Sequence, residues 1–359
     1  MMSRLRVEPR VTESVIAQYL VPVVAIVLTL LSGTVLFTFL GKAPSAVLYT
    51  FLIEPLTSRF GIGEVLLKMA PLLLIAQGLA IGFRARVWNI GAEGQLIIGG
   101  IFASVIAIHY NESESTWILP AMVFAGMLGG ILWASIAAYL RVRFNANEIL
   151  VTFMLSSVAL QILYFLVTGP LRDPDGFNFP QSVVFADSAL FGVLIEGTRA
   201  NTSLLIGLTL SVLAYVFIRH SLPGFKLSVS GAAPRAARYA GFAESQAIWL
   251  GLIIGGAAAG LAGVGEVAGP IGQLQRTISP GYGFAGIIVA FLGGLHPIGI
   301  CLAAFFMAIL YVGGDMALIS VGIPNAATTI FQGMLLIFYL ASYLFVHYRI
   351  SFQGRAAAT

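Results

Sequence analysis

The sequence predicts an all-α membrane protein, a polytopic bundle of about ten transmembrane helices with a broken or re-entrant element near residues 269–295. The composition supports this fold class, because 58% of the 359 residues are hydrophobic and only 9% are charged. Soluble domains average about 25% charged residues. The apolar runs support it as well, since most of them approach the roughly 20 residues that a helix needs to cross a bilayer. We therefore expect one transmembrane domain over residues 1–359.

Ten apolar runs can be placed along the chain. They lie near Leu20–Leu40, Val65–Phe83, Trp88–Ile108, Trp117–Leu140, Ile149–Thr168, Thr202–Ile218, Ser245–Val264, Ala285–Leu295, Pro297–Gly313 and Asn325–Val346. The first is longer than a signal-peptide core and has no clear cleavage site, which favours a transmembrane helix. The eighth is short, and the Gly- and Pro-rich segment Gly269–Gly283 precedes it. This combination predicts an element broken inside the membrane, tolerated only where protein or water covers the backbone.

Lysine and arginine are distributed unevenly between the two sets of loops. Thirteen of the 19 fall on the side of the N-terminus: Arg4, Arg6, Arg10, Arg84, Arg86, Arg141, Arg143, Arg219, Lys226, Arg235, Arg238, Arg349 and Arg355. The other six are Lys42, Arg59, Lys68, Arg172, Arg199 and Arg276. The positive-inside rule then predicts that both termini are cytoplasmic. Residues 1–19 form a cytoplasmic tail, 219–244 a cytoplasmic loop and 169–201 an external loop. The net charge of +4 belongs to these loops, so no nucleic-acid partner is expected.

Polar residues interrupt the apolar run that follows Arg84. Asn89, Glu93 and Gln95 lie among glycines and aliphatic residues. A carboxylate in hydrocarbon costs about 2.5–3.5 kcal/mol on insertion scales and therefore normally faces a protein interior or a wet cavity. We predict that these three residues, with Asn147 and Glu148, line a pathway for a polar solute. Local packing of Glu93 near the membrane interface is the alternative.

Motifs for catalysis and for nucleotide or metal binding are missing. The sequence contains no G-x-x-x-x-G-K-[ST], no H-E-x-x-H and no G-x-S-x-G, and it has one cysteine and four scattered histidines. Gly281, Gly283 and Gly286 satisfy G-x-G-x-x-G, but their flanks are membrane segments and not a βαβ unit. We therefore expect no catalytic residue, no metal site and no cofactor on this chain.

Two local patterns concern packing and docking. A proline, good helix formers and a glycine follow one another at Pro234–Gly241, which predicts a short basic helix in the cytoplasmic loop. This helix either belongs to a solvated loop or docks a cytoplasmic partner. Three G-x-x-x-G pairs predict close approach of helices; they are Gly126/Gly130, Gly251/Gly255 and Gly256/Gly260.

Several motifs occur in a fixed order. They are W-N-I-G-A-E-G-Q-L at Trp88–Leu96, N-A-N-E-I-L at Asn145–Leu150, P-R-A-A-R-Y-A-G at Pro234–Gly241, A-G-L-A-G at Ala259–Gly263 and G-Y-G-F-A-G-I-I-V-A-F-L-G at Gly281–Gly293. From Ala70 to Val346 the chain resembles the permease subunits of bacterial ABC importers of the ribose, nucleoside and branched-chain amino acid type. The N-I-G-x-E-G-Q form and P-L-R-D-P at Pro170–Pro174 look most like permeases of basic-membrane-protein-type nucleoside importers.

The resemblance implies a multi-pass transport subunit of the bacterial plasma membrane and not an enzyme. It implies import of a small polar solute, a nucleoside, by alternating access; a permease for a simple sugar, an ion-driven secondary transporter and a membrane enzyme are the alternatives. The implied partners are an ABC ATPase that binds ATP and Mg, an external substrate-binding protein and a second permease chain, either a paralogue or a second copy. The matching motif assigns coupling to the ATPase to Pro234, Arg235, Ala236, Ala237, Arg238 and Gly241.

Overall fold

The computed structural model describes residues 5–9 and 15–352, so parts of the predicted N-terminal tail, with Arg4 and Arg10, and also Arg355 lie outside the described residues. The helices are α1 (Val15–Phe39), α2 (Pro44–Leu52), α3 (Arg59–Arg84), α4 (Ala92–His109), α5 (Ile118–Phe144), α6 (Glu148–Thr168), α7 (Ser203–His220), α8 (Leu222–Ala232), α9 (Pro234–Tyr239), α10 (Glu244–Glu266), α11 (Tyr282–Leu292), α12 (Pro297–Ser320) and α13 (Asn325–His347). Among the described residues, nine helices are long and apolar enough to span a membrane, and α11 is a shorter apolar helix. The predicted fold class is confirmed.

The chain divides into two compact units. One contains Glu54–Gly313, and the other contains the two ends of the chain, Met1–Ile53 and Gly314–Thr359. The single domain predicted over residues 1–359 stays a prediction.

The unit of the chain ends is built around α1 and α13, which pack against each other. Two short strands, β1 (Leu5–Pro9) and β2 (Tyr348–Phe352), pair antiparallel and bring the ends of the described chain together. Phe37, Phe51 and Phe331 form an aromatic cluster with centroids 5.7–6.1 Å apart.

In the larger unit, α10 packs against α3, α4 and α5. The contact with α5 is made by glycines: a Cβ on Gly260 would overlap the backbone of Gly126, and a Cβ on Gly130 would overlap the carbonyl of Gly256. On another face of α10, Gly251 meets Gly82 of α3. The predicted role of the G-x-x-x-G pairs in close packing is therefore confirmed, and the partners lie on the same chain.

One predicted span begins later than expected. The run from Trp88 is not helical at first, and α4 starts only at Ala92. The Asn89 side chain accepts a hydrogen bond from the Gly91 nitrogen at 3.0 Å, which offers the backbone an alternative to the helix. A Cβ at Gly91 would also meet the backbone of Thr152 on α6. The polar segment thus approaches its neighbours as irregular chain before the helix begins.

The predicted broken element is present. After α10, one π-helical turn covers Val267–Ile271, and Gly269 within it has non-helical dihedral angles. Gly272 and Gly281 adopt left-handed conformations, with φ of 68° and 95°, and α11 begins at Tyr282. A glycine suits these two turns because its left-handed backbone carries no Cβ penalty.

Candidate functional site

The long loop of residues 169–201 covers the broken element. Nitrogens of Ser182, Phe185 and Phe191 donate hydrogen bonds of 2.8 Å to carbonyls of Leu274, Gly272 and Ala268. Backbone groups freed by a break at membrane depth must be satisfied by protein or water. The loop supplies those partners, so in this structure it is an ordered cover and not a plain connector.

The broken element runs between the two ends of α3. Near its start, Gln275 and Thr277 share a cavity with Glu64 and Lys68. At its end, the Arg84 side chain donates two hydrogen bonds, of 2.7 and 3.2 Å, to the carbonyl oxygen of Leu295. The 21 residues from Glu64 to Arg84 cover about 30 Å of helix, the thickness of the hydrocarbon core. The irregular segment and α11 together therefore extend over a length comparable to one membrane span.

Glu93 joins the N-terminal ends of two helices. It lies in the first turn of α4, and its Oε2 accepts a hydrogen bond of 2.7 Å from the nitrogen of Gly283 in the first turn of α11. The carboxylate also lies against Ser279 and the backbone of Gly281. A negative charge is favourable at a helix N-terminus, where free N–H groups and the helix dipole both attract it. Glu93 is buried and therefore fixes the position where α11 begins.

Asn89 and Gln95 bind each other. The Nδ2 of Asn89 donates to Oε1 of Gln95 at 2.8 Å, and the Nε2 of Gln95 donates back to Oδ1 of Asn89 at 3.1 Å. Both side chains are buried. The structure thus brings all three polar residues of the segment together around the start of α4, with the two amides holding the turn and Glu93 reaching α11.

A polar cavity opens beside the start of the broken element. It has a volume of about 370 Å³. Its charged lining consists of Glu64 and Lys68 of α3, Arg199 of the long loop and Glu266 at the end of α10. Gln275, Thr277 and Tyr282 complete the polar wall. We refer to this space as the polar cavity.

Opposite charges are matched across the polar cavity. Arg199 donates from Nε and Nη2 to the two oxygens of Glu64, at 2.9 and 2.5 Å. The hydrogen bonds to Glu64 raise the pKa of Arg199 above its ordinary value. Lys68 and Arg199 also act electrostatically on Glu266. With two acidic and two basic side chains, the lining carries no net formal charge.

Sequence reasoning assigned none of the four charged members of this cavity to a site. Glu64 and Lys68 are four residues apart, so they lie on the same helix face, and both fall in or beside a predicted span. That pairing of charges in an apolar run was the available signal. Arg199 carried no sequence signal of a functional role, because a single arginine in a long loop is ordinary.

The arginine-rich loops of the larger unit meet at the end that lies opposite the polar cavity. A groove of about 260 Å³ is lined there by charged residues from three segments; they are Arg86, Arg141, Glu148, Arg238 and Glu244. We call it the arginine groove. Arg141 pairs with Glu148 at 3.3 Å, and Arg238 pairs with Glu244 at 2.9 Å.

Burial lowers the pKa of nearby His296, and the positive charges of Arg84 and Arg219 lower it further.

The predicted short helix is α9, at the edge of this groove. It begins at Pro234 and ends before Gly241, whose φ is 77°. Ala237 is buried and anchors the helix, whereas Arg235 and Arg238 are exposed. Pro234, Ala237 and Arg238 line the groove. The sequence signals of a proline start and a glycine stop are confirmed.

Asn147 and Glu148 lie with the arginine groove and not with Glu93. Asn147 caps α6, accepting hydrogen bonds from the nitrogens of Ile149 and Leu150 at 2.9 and 3.4 Å. Glu148 faces Arg141 across the groove. The five residues predicted for a pathway therefore fall into two groups at different levels of the unit.

At the end of the unit opposite the arginine groove, the short acidic loop and the long loop contact each other. The Asn111 side chain accepts a hydrogen bond of 2.8 Å from the Ala186 nitrogen, and Ser188 donates to the Ser113 carbonyl at 2.8 Å. The long loop and the short acidic loop, both predicted to be external, thus lie at one end of the unit, away from the arginine groove.

Comparisons with known proteins agree with this architecture. Residues 61–340 match the family described as the permease component of the branched-chain amino acid transport system. The glucose ABC transporter permease protein TsgB13 of Haloferax volcanii is 33% identical over 96% of this chain and 93% of its own length. The guanosine permease NupP of Bacillus subtilis is 28% identical, over 91% and 94% of the two chains. The nucleoside permease NupB of Lactococcus lactis subsp. cremoris is 29% identical, over 90% and 91%.

The family match begins after the first sixty residues and covers most of the chain, including the broken element and both charged regions. Its members are transport components that work with a separate ATPase, so the chain is a transport subunit and not an enzyme. Nine long apolar helices among the described residues fit a multi-pass protein of the plasma membrane. This chain therefore belongs to the branched-chain amino acid transport system permease family, as the membrane-spanning permease subunit of an ABC transporter.

Proposed function

We propose that this permease subunit carries nucleosides inward across the membrane. The observation that carries the proposal is the polar interruption of the larger unit, where Glu93 connects α4 to α11 beside the polar cavity. Buried ionisable groups are unfavourable at membrane depth and usually mark the route of a polar solute. Helices broken at such a point are typical of transport sites.

The choice of nucleoside is supported by two relatives, one named for guanosine and one for nucleosides. A simple sugar is the second candidate, because the relative from Haloferax volcanii is named for glucose and is 33% identical. Both solutes are neutral and carry a ring with several hydroxyl groups. The polar cavity, with equal numbers of acidic and basic side chains, suits the hydroxyl-bearing ring that both solutes contain.

Uptake by the complete transporter tests the proposal. Cells without their own nucleoside and glucose uptake receive this chain with its partner subunits, and entry of labelled guanosine and glucose is measured. We expect guanosine uptake that ceases on ATP depletion and persists with a protonophore when ATP is held constant. Collapse with the protonophore supports an ion-driven transporter, and glucose uptake alone supports the sugar alternative. Uptake of neither solute by an assembled transporter contradicts both assignments.

The proposed mechanism is alternating access without chemistry on the solute. The solute enters the larger unit at the end where the polar cavity lies, and then passes the N-terminal end of α11. Glu93 acts by holding α11, and Asn89 and Gln95 act by fixing the turn before α4, since their amides are already paired. ATP binding and hydrolysis on the partner then move the arginine-rich end. We propose no cofactor on this chain, with ATP and Mg on the ATPase.

We propose that the ATPase docks at the arginine groove, with Pro234, Arg235, Ala236, Ala237, Arg238 and Gly241 receiving its movement. The exposed arginines of α9 are positioned for charge-assisted contacts with carboxylates of a partner. Asn147 and Glu148 join this site in our proposal. A substrate-binding protein would meet the opposite end, and a second permease chain, identical or paralogous, would complete the membrane part.

The double variant Arg235→Glu/Arg238→Glu tests the docking site. We expect normal membrane insertion, loss of the ATPase on co-purification and uptake that no longer follows hydrolysis. Arg59→Glu is the matched control, because this exposed arginine begins α3, where an acidic residue is favourable. Full recovery of the ATPase with the double variant moves the docking site to the turns at Arg84–Arg86 or Arg141–Asn147.

We further propose that the arginine groove is cytoplasmic. Tyr239 beside it is 96% exposed, and Phe177 in the long loop is 94% exposed. With Cys301 replaced by alanine, a cysteine at position 177 should react with an impermeant thiol reagent in intact cells. A cysteine at position 239 should react only after the membrane is opened, and the reverse pattern contradicts this orientation.

A further inference from the structure

The polar cavity holds a buried carboxylate that has no hydrogen bond. Glu266 is 6% exposed and lines the cavity. Its carboxylate makes no hydrogen bond to any residue in the described part of the chain, although Lys68 and Arg199 attract it at longer range. A buried polar group without a hydrogen-bond donor is costly. Glu266 is therefore placed to accept hydrogen bonds from a molecule in the cavity.

The other wall residues limit what that molecule is. The Glu64–Arg199 pair satisfies its own charges, and the lining as a whole has as many basic as acidic side chains, so a solute with net charge would face an opposing charge as well as an attracting one. Gln275 and Thr277 add neutral polar groups. The volume of about 370 Å³ lies at the lower end of the range for small-molecule sites, about 300–1,000 Å³. A neutral solute with several hydroxyls fits these conditions.

We propose that the polar cavity is a binding station for the hydroxyl-bearing ring of the transported solute, and that Glu266 accepts hydrogen bonds from its hydroxyls. The station rests on the proposed function, since it takes the part that nucleosides and sugars share. It ends at Tyr282, the first residue of α11. The solute is therefore bound next to the N-terminal end of α11, which Glu93 holds in place, and it is released when α11 moves.

The experiment pairs a substitution in the protein with a deletion in the solute. Glu266→Gln keeps the shape of the side chain and replaces one of its two acceptor oxygens by a donor NH2 group. Maximal uptake rates are measured for guanosine, 2′-deoxyguanosine and 3′-deoxyguanosine with the unchanged binding protein and ATPase. If wild-type cells import only glucose, glucose and its monodeoxy analogues replace them. Glu114→Gln is the matched control, because Glu114 is an exposed carboxylate in a loop of the same unit.

A hydrogen bond between uncharged groups is worth roughly 0.5–1.5 kcal/mol, which corresponds to about two- to tenfold in rate. We expect Glu266→Gln to slow guanosine uptake about two- to tenfold, and to leave unchanged the uptake of the deoxy analogue that lacks the bound hydroxyl. A purely structural role would slow all three solutes equally. Equal slowing, or wild-type rates for all three, overturns the binding station.

Folding and the underlying function are checked separately. If Glu266→Gln fails to reach the membrane, Thr277→Val provides the test, because Thr277 is exposed to the cavity and the change removes one hydroxyl. It should lower the preference for guanosine over its deoxy analogues about threefold or more, and an unchanged preference overturns the proposal. If wild-type cells import neither guanosine nor glucose, the proposed function fails. If the wild type imports but no variant changes the preference, the binding station alone fails.

Discussion

Helices α10 and α11 follow each other in the chain but are held in different ways. Along α10, glycines bring the backbone into direct contact with α5 and α3, so that little space remains for any side chain. The shorter helix α11 is also closely packed, since a Cβ on Gly283 would overlap the backbone of Glu93 and a Cβ on Gly286 would meet Ile75, but specific contacts also hold its two ends. Glu93 binds its N-terminal end, Phe291 stacks on Phe83 with centroids 5.3 Å apart, and Arg84 binds the carbonyl of Leu295 just past its end.

The difference separates a fixed scaffold from an adjustable element. Backbone-to-backbone packing has no alternative arrangement, because shifting α10 would break many contacts at once. The contacts at the two ends of α11 are few. Glu93 and Arg84 each contribute the strength of one or two hydrogen bonds, and Phe291 adds an aromatic stack on Phe83. Alternating access needs both kinds of structure. We infer that α10 with α3, α4 and α5 stays rigid and that α11 moves.

The largest effect should come from filling the glycine contact. In Gly260→Leu, the new side chain would collide with the backbone of Gly126, which cannot move aside as a flexible side chain can. Overpacking typically costs about 1–3 kcal/mol, and a clash with a helix backbone should reach the upper end or exceed it. We expect little monodisperse protein by size-exclusion chromatography of the solubilised transporter. Wild-type yield and profile would show that α10 is not rigidly packed.

Gly333→Ala is the matched control for that experiment. A Cβ at Gly333 meets no atom within 4 Å, and the residue lies inside α13. Alanine is favoured over glycine in a helix by about 1 kcal/mol. The variant should therefore be as abundant as the wild type. A loss equal to that of Gly260→Leu would indicate a general intolerance of glycine replacement.

A smaller and more selective effect is expected at Glu93. Glu93→Gln keeps an acceptor for the Gly283 nitrogen but removes the charge from the N-termini of two helices. The loss should be about 1–2 kcal/mol, or about five- to thirtyfold in the fraction of molecules with α11 in place. Uptake should fall while the amount in the membrane stays constant. Normal uptake by Glu93→Gln would show that Glu93 contributes to local packing and not to transport.

The sequence was sufficient to predict what depends on local pattern. Apolar runs located the spans, the glycine pairs located the close helix contacts, and the proline and glycine around α9 located its ends. The broken element was predictable because Gly269–Gly283 is unsuited to a continuous helix. Length and composition decide each of these, so no tertiary information was needed.

The site was only partly predictable because it depends on contacts distant in sequence. Glu93 was identified as unusual, but its partner Gly283 is 190 residues away. Arg199 and Glu64 are 135 residues apart. The start of α4 was misplaced because the paired amides of Asn89 and Gln95 stabilise a non-helical segment that apolar periodicity does not reveal.

The smallest effect should come from Arg84, at the other end of α11. Arg84→Gln retains one donor for the Leu295 carbonyl but loses the second hydrogen bond and a positive charge near the C-terminal end of the helix, where cations are favourable. The chain there is already turned by Gly294 and Leu295, with φ of 63° and 55°, and the Phe83–Phe291 stack remains. The cost should stay near about 0.5–1 kcal/mol.

Thermal unfolding of the purified transporter measures this cost. We expect the Tm to fall by no more than about 2 °C, and uptake to fall less than in Glu93→Gln. Arg84→Lys keeps the charge but not the planar fork, so it should lie between Arg84→Gln and the wild type. If Arg84→Gln instead destabilised the protein as strongly as Gly260→Leu, α11 would belong to the rigid scaffold, and the moving element would have to be sought elsewhere in the unit. A small loss of stability with a measurable loss of uptake is the result that an adjustable helix requires, because its end contacts must be weak enough to exchange in each transport cycle.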